Sequence, residues 1–154
     1  MSMKMKLSEV LSPANVILDL DAPSKGRLMH RLSEIAATHL GISEGVVFSA
    51  LNKREKLGST GIGEGIAIPH APIPDLAKPF ALFARLSKPV DFEAIDENPV
   101  DIVAVLLVPV EKSSTNLNLL ASLARILRTA DKTERIRAAT EAEDVYRTIV
   151  EGEV

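Results

Sequence analysis

The chain contains no cysteine and very few aromatic residues. None of its 154 residues is cysteine, and Phe, Trp and Tyr together make up 3% of them. The first absence excludes disulfides, thiol catalysis and thiolate metal sites, and it suits a reducing compartment, so we expect a cytoplasmic protein. The second means that the hydrophobic core must consist mostly of Leu, Ile, Val and Ala side chains.

Long apolar runs and an excess of basic charge are also missing. The mixed polar and apolar residues at the start of the chain form no signal-peptide core, and no apolar run reaches the length of a membrane span. Lys and Arg number 18 against 21 Asp and Glu, which gives a net charge of −3, and the two signs are interleaved. Without a long apolar run we expect no membrane insertion. Because nucleic-acid binders usually present a basic face, we also expect no nucleic-acid partner.

The apolar pattern predicts one domain in which helices precede, separate and follow short strands. The length is typical of a single domain. The longest apolar run, residues 100–108, is the candidate central strand, since strands buried on both faces read as continuous apolar runs. This alternation predicts an α/β (α+β) layered domain. The predicted strands are 16–20, 65–69, 80–86 and 100–108; the predicted helices are a short turn at 7–11, then 25–40, 44–57, 115–128 and two short C-terminal helices.

Capping residues indicate where these helices begin and end. Ser24 and Ser43 fit N-caps, and Gly41 fits the position just after the first long helix. The two C-terminal helices are expected to start at capping boxes, which are Asp131 with Glu134 and Thr140 with Glu143. The apolar residues expected to face the core are Val46, Val47, Ala50 and Leu51 in the second helix, and Leu117, Leu120, Leu123, Ala124 and Leu127 in the third.

The most distinctive segment is 58–71, G-S-T-G-I-G-E-G-I-A-I-P-H-A. Its four glycines permit close approach of a partner backbone or a phosphate. We expect His70 at or just past the end of the strand 65–69, followed by a proline-rich surface loop, 71–79. A histidine there can act as a nucleophile, base, ligand or proton switch near neutral pH. From the residues alone, a structural histidine satisfied by backbone hydrogen bonds is an equal alternative.

Nucleotide chemistry does not fit this segment. Gly61, Gly63 and Gly65 are spaced like part of a dinucleotide-binding loop, but that motif follows a strand and opens a helix. Here a helix precedes the glycines and a strand follows them, so the order is reversed. A Gly-Lys-Ser/Thr sequence that could hold nucleotide phosphates is also missing. The pattern therefore disfavours a dinucleotide enzyme and a kinase that uses ATP.

Hydrolysis and metal chemistry are disfavoured too. Ser49 and Ser59 lack the Gly-x-Ser-x-Gly context of a nucleophilic serine. The other two histidines, His30 and His39, do not combine with His70 in a metal-ligand spacing, so we expect no metal site. His30 is expected on the polar face of its helix, and His39 at the helix end, where its charge suits the helix dipole.

The run 54–70, R-E-K-L-G-S-T-G-I-G-E-G-I-A-I-P-H, strongly resembles the active-site segment of enzyme IIA proteins of the bacterial sugar phosphotransferase system. The resemblance is to the fructose/mannitol type and, within it, the nitrogen-regulatory branch. It covers nearly the whole chain, including segments 5–11, 24–25, 89–96 and 99–102. It implies one domain, 1–154, with a mixed central β-sheet flanked by helices on both faces. It also implies phosphoryl relay without a metal, nucleotide or other cofactor.

The resemblance assigns roles to individual residues. His70 would accept a phosphoryl group from a phosphohistidine carrier protein (HPr-like), and Arg54 would stabilise its charge. The family usually has a second histidine in a Thr-His-Leu sequence, which here is Thr115-Asn116-Leu117. Asn116 still offers an amide donor but cannot carry a positive charge. The segment expected to admit the carrier and to offer backbone N–H groups to the phosphoryl oxygens contains Ser59, Thr60, Gly61, Gly63 and Gly65.

Three functions stay open at this point. The leading hypothesis is a relay protein that regulates partners according to its phosphorylation state. For the nitrogen-regulatory branch, the resemblance implies partners such as potassium-transport components or sensor kinases. The second is a sugar-transport enzyme IIA that passes phosphate to a IIB component. The third is a non-catalytic binding module, weakened by the change to Asn116.

Overall fold

A mixed six-stranded sheet with helices on both faces forms the centre of the fold. The computed structural model describes residues 5–111 and 113–151, without the side chain of residue 113; the ends of the predicted domain 1–154 lie outside this range. The strands are β1 Val16–Leu20, β2 Gly61–Gly63, β3 Ile66–Ala67, β4 His70–Ile73, β5 Phe80–Val90 and β6 Val100–Pro109. The α-helices are α1 Lys25–Leu40, α2 Glu44–Lys56, α3 Ser113–Leu127, α4 Ala130–Ala138 and α5 Ala142–Val150, and Leu7–Glu9 and Pro13–Asn15 are short 3₁₀ turns.

The strand β6 organises the sheet, as its long apolar run predicts. It pairs antiparallel with β5 on one side and parallel with β3 and β4 on the other. Beyond these, β1 lies parallel to β5, and β2 lies antiparallel to β3. Because neighbours cover both of its edges and helices cover both of its faces, β6 is almost completely buried, which accounts for its continuous apolar sequence.

Alternate residues of β6 pack into two separate hydrophobic clusters. Val103, Val105 and Leu107 face α1 and α2, whereas the intervening residues face α3, α4 and α5. This alternation follows from the two-residue period of a strand. The helices contribute Leu28, Leu32, Val47 and Leu51 on the first face, and Leu119, Leu123, Ile136 and Ile149 on the second. The predicted fold class, with helices on both faces, is therefore confirmed.

The predicted ends of α1 are also confirmed. The Ser24 hydroxyl accepts a hydrogen bond from the Arg27 N–H at 3.2 Å, which satisfies one of the free donors at the helix start. Gly41 follows the helix with φ of 68°, the left-handed conformation that favours glycine. Ser43 likewise occupies the N-cap position of α2, although its side chain makes no capping bond there.

The predicted capping boxes of the last two helices are wrong. The N-cap of α4 is Thr129 rather than Asp131, and that of α5 is Glu141 rather than Thr140. Neither of these N-caps makes a side-chain capping bond. At its other end, α4 is held by a distant contact. The Arg85 guanidinium, from β5, donates to the carbonyls of Ile136, at 2.9 Å, and of Ala139, at 2.6 Å, where α4 ends.

Two residues expected in the core are exposed. Val46 is 42% exposed and Leu117 is 66% exposed, because α2 and α3 pack through neighbouring positions of their apolar faces. The buried residues are Val47 and Leu51 in α2 and Leu119, Leu123 and Leu127 in α3. Among the described residues, no helix has the length and apolar character needed to cross a bilayer.

Candidate active site

The candidate site lies on an interrupted strand. Strands β3 and β4 keep the same register along β6, since Ala67 pairs with Val103 and His70 pairs with Leu106. Between them Pro69 lacks an N–H donor, but its carbonyl still accepts from the Leu106 N–H at 2.9 Å. His70 is therefore the first residue of β4. It does not end a strand, and the predicted loop 71–79 begins as strand as far as Ile73.

The His70 ring has a defined tautomer. Its Nδ1 lies 2.7 Å from the carbonyl oxygen of Ile68. Because a carbonyl can only accept, Nδ1 carries the proton and donates, which leaves the lone pair on Nε2. Burial lowers the pKa of His70, opposed by the bond to Ile68, while the Arg54 charge lowers it further. The ring is therefore neutral near pH 7 and nucleophilic at Nε2.

Arg54 lies in the last turn of α2, within electrostatic range of the His70 ring. Its Nη1 donates to the Gly58 carbonyl at 2.9 Å, which holds the side chain across the end of the helix. A guanidinium carries five N–H donors, so this single bond leaves it able to bind an anion. Arg54 therefore brings a positive charge with unused donors to the surroundings of the His70 ring.

Sequence reasoning missed a buried ionic network beside this pair. The Glu55 carboxylate accepts from the backbone N–H of Thr60 at 2.9 Å and from its hydroxyl at 2.5 Å. Lys25, at the start of α1, forms an ion pair with the same carboxylate at 2.9 Å. Thr60 in turn accepts from the Ile68 N–H at 3.0 Å. The network thus connects α1 and α2 to Ile68, the residue that orients His70, and nothing in the one-dimensional pattern reveals these contacts.

Ser59, Thr60 and Gly61 lie next to the site but are occupied with structural contacts. The Ser59 hydroxyl donates to the Phe92 carbonyl and accepts from the Gly61 N–H, both at 3.1 Å. A Cβ atom on Gly61 would lie 2.7 Å from that of Ala94. Glycine is therefore required at position 61 by close packing.

Gly63 and Gly65 lie at the far end of the interrupted strand. They form the turn between β2 and β3, with φ of 99° and 83°. His70 lies five positions after Gly65 along an extended chain, which corresponds to roughly 16 Å. The structure therefore does not bring these two glycines to the His70 ring, and their φ values give a conformational reason for glycine at both positions.

Asn116 lies in the first turn of α3, on the sheet face to which the register assigns His70. His70 pairs with Leu106, which packs with Leu119 of α3. The Asn116 amide nitrogen donates to the carbonyls of Pro109 at 3.0 Å and Glu111 at 3.3 Å. Within the described residues no hydrogen bond joins Asn116 to His70. The register and the cluster place the two residues on the same face of the sheet, without a direct bond between them in the described part of the chain.

A mostly apolar groove of about 720 Å³ runs between α2 and β4, beside Arg54. It explains the exposure of Val46, which lines it. Leu57, at the other end of α2, is 82% exposed on its rim. The groove combines apolar walls with basic groups, and its main lining residues are Val46, Lys53, Arg54, Leu57, Pro72 and Pro74.

The other two histidines lie outside this site. His30 is exposed on α1 as predicted, where its ring stacks on that of Phe48 with 3.9 Å between centroids. His39 contacts the Phe80 ring at the end of the same helix. Of the three histidines, only His70 combines a nearby arginine with a ring nitrogen fixed by a backbone carbonyl.

The fold and this histidine define a class of protein. The model of the family "Phosphoenolpyruvate-dependent sugar phosphotransferase system, EIIA 2" matches residues 9–152. The chain belongs to this family and is a component of a phosphotransferase system.

Within the family, regulatory members are similar to this chain over nearly its whole length. A nitrogen regulatory protein of Bradyrhizobium diazoefficiens is 40% identical over 145 residues, covering 94% of this chain and 95% of the relative. One of Escherichia coli is 41% identical over 152 residues, covering 97% and 92%. The crystal structure of the nitrogen regulatory protein IIA-Ntr from Neisseria meningitidis superimposes with a TM-score of 0.89 at 33% identity, covering 93% of this chain and 98% of that one. These similarities support a regulatory role within the phosphotransferase system.

Proposed function

We propose that the protein accepts a phosphoryl group on Nε2 of His70 from an HPr-like phosphohistidine carrier and regulates partner proteins according to its phosphorylation state. The observation that carries this proposal is the hydrogen bond from Nδ1 to the Ile68 carbonyl. It leaves a neutral ring whose free lone pair lies within range of an arginine.

The transfer step needs no chemistry beyond the two histidines. The lone pair on Nε2 forms a bond to phosphorus as the bond between phosphorus and the carrier imidazole breaks, and the carrier imidazole leaves with that electron pair. The proton on Nδ1 stays in place, and the Ile68 carbonyl stabilises the positive charge that develops on the ring. Arg54 offsets the charge of the transferred oxygens. Such a step depends mainly on positioning and charge stabilisation.

The groove beside Arg54 gives the carrier a place to dock. Its apolar walls, with Val46 and Leu57 exposed, suit a partner whose own reactive histidine is surrounded by apolar residues. A phosphoryl group on His70 would then add about −1.5 to −2 charges next to this groove. That change is large enough to reverse the binding of a partner that uses the same surface. Potassium-transport components and sensor kinases are the partners we propose, from the resemblance to the nitrogen-regulatory branch.

Onward transfer to a IIB component is a second candidate. A solved complex of enzyme IIA and phosphorylated enzyme IIB of the mannitol system from Escherichia coli superimposes on this chain with a TM-score of 0.76 at 22% identity. The shared fold makes the geometry of such a transfer available. To distinguish the two functions, the labelled protein is mixed with membranes and sugars. Label that moves to sugar supports transport, whereas label retained on the protein supports regulation.

The primary test is phosphorylation by purified components. The protein is incubated with enzyme I, a phosphocarrier and labelled phosphoenolpyruvate, and acid-labile label is measured. We expect label on the wild type and none on His70→Ala. His30 and His39 lie outside the candidate site. His30→Ala and His39→Ala therefore serve as matched controls and should be labelled like the wild type. An unlabelled wild type would favour the non-catalytic binding module and refute the relay.

A further inference from the structure

The side-chain amide of Asn116 is already committed to the backbone. An amide nitrogen has two N–H donors, and both are used, for Pro109 at 3.0 Å and Glu111 at 3.3 Å. These bonds tie the first turn of α3 to the end of β6 and the turn that follows it. The family resemblance implies that this amide could donate to the phosphoryl group, but its nitrogen is already bonded to the backbone.

The remaining polar atom of Asn116 is an acceptor. Its Oδ1 is buried and has no hydrogen-bond partner within the described residues. Rotating the amide by 180° would place Oδ1 against two carbonyl oxygens and leave the nitrogen without acceptors. The hydrogen bonds to Pro109 and Glu111 therefore fix the orientation, and the one polar side-chain atom of Asn116 without a partner among the described residues is an acceptor.

An acceptor oxygen cannot hydrogen-bond a phosphoryl dianion, whose oxygens are acceptors as well. Asn116 begins the helix that covers the His70 face of the sheet, because His70 pairs with Leu106, and Leu106 shares a hydrophobic cluster with Leu119, three residues after Asn116. A histidine at position 116 could donate a hydrogen bond to the phosphoryl group and carry a positive charge. Asn116 carries no charge, and its amide nitrogen donates to backbone carbonyls instead.

We propose that Asn116 is a positioning residue that anchors the turn between β6 and α3 and withholds a second donor from phosphorylated His70. Arg54 is then the charged partner of the phosphoryl group, which is held less tightly than it would be with a histidine at position 116. The equilibrium with the carrier therefore lies further towards the unphosphorylated protein than it would with a histidine at that position. This inference rests on the proposed relay through His70.

The test measures the equilibrium constant for phosphoryl exchange between the carrier and the protein. Asn116→His should shift it towards the phosphorylated protein by about tenfold or more, as expected for a hydrogen bond to a charged group. Leucine has a similar size to asparagine but neither a donor nor an acceptor. Asn116→Leu should therefore change the equilibrium constant by less than threefold, or shift it towards the phosphorylated protein as Asn116→His does. Asn118→His, on an exposed position of the same helix, is the matched control and should have no effect. A tenfold loss of phosphorylated protein in Asn116→Leu would overturn the inference, since the amide would then be a phosphoryl donor.

A second measurement uses the wild type and does not depend on how the variants fold. In ¹⁵N-labelled protein, the side-chain NH₂ signals of Asn116 should shift little when His70 is phosphorylated, because both protons stay on backbone carbonyls. A large downfield shift of one of them would overturn the inference while leaving the relay intact. If the wild type takes no label from the carrier, the relay and this inference fail together.

Discussion

The two ends of the interrupted strand 66–73 each lie near an arginine, but the two arginines have different surroundings. Near β3, the Arg137 guanidinium makes two hydrogen bonds of 2.9 Å to Asp101 and a third to the Glu64 carbonyl. The bonds to Asp101 raise the pKa of Arg137. Near β4, Arg54 donates to one carbonyl, and within the described residues it pairs with no carboxylate. A paired arginine fixes the backbone, whereas an arginine without an acidic partner can take an anion from outside.

The same contrast applies to the backbone at the two ends. At the β3 end, Gly65 has a left-handed conformation and abuts the ion pair of Arg137 and Asp101. At the β4 end, the buried Glu55 holds Thr60, and Thr60 holds Ile68, so the ring of His70 is oriented by an ordinary extended backbone. The glycines therefore shape the sheet edge, whereas the Ile68 carbonyl orients His70, and side chains of α1 and α2 hold the adjoining backbone.

The largest expected effect comes from replacing Arg54 with glutamine. Arg54→Gln should slow phosphorylation of His70 by about tenfold to a hundredfold, because a charge-assisted hydrogen bond to the phosphoryl group is lost. Its unfolding free energy should change by less than about 0.5 kcal/mol. Labelling rates and thermal unfolding measure the two quantities.

Arg137→Gln is the matched control for that experiment. It should unfold more easily, by about 1 kcal/mol after allowance for solvent screening of a partly exposed pair, and accept label at the wild-type rate. Equal loss of labelling in both variants would remove the distinction between the two ends of the strand.

A second prediction concerns the glycine at the β3 end. Gly65→Ala should lower the unfolding free energy by about 2 kcal/mol, because alanine is strained in the left-handed region and its Cβ would lie 2.8 Å from the Arg137 guanidinium. Gly26→Ala, inside α1, with its nearest neighbour at 4.0 Å, should instead stabilise the protein by about 0.5–1 kcal/mol. Denaturant unfolding measures both. Unchanged stability in Gly65→Ala would mean that this turn tolerates a side chain.

The smallest predicted effect is the titration of His70 itself. Its pKa lies below the usual 6.5, chiefly because of burial. The unfolded chain therefore binds the proton first, and folding stability falls as the pH drops from about 6.5 towards the lower folded pKa. NMR of the His70 ring should give a midpoint below 6.5. The midpoint should rise in Arg54→Gln and fall further in Glu55→Gln, since the two charges act in opposite directions. A wild-type midpoint at or above 6.5 would contradict this account of the ring.

Local signals in the sequence were sufficient for much of the fold. The serine cap and the left-handed glycine bracket α1, and continuous apolar residues identify β6 as the central strand. These features depend on neighbours in the chain, so periodicity and capping chemistry reveal them. The starts of α4 and α5 do not follow from such signals, because the residues at their N-cap positions, Thr129 and Glu141, make no side-chain capping bond.

By itself the sequence predicted that His70 and Arg54 belong to one reactive segment, and it determined that the domain layers helices on a mixed sheet. Only the tertiary structure decided which nitrogen of His70 is free, which arginine lacks an acidic partner and which way Asn116 points. Each of these depends on a backbone carbonyl or carboxylate that folding brings to the side chain: Ile68 for His70, Asp101 for Arg137, and Pro109 for Asn116. Hydrogen bonds are short and directional, so their partners are settled by the packed fold and not by the order of residues.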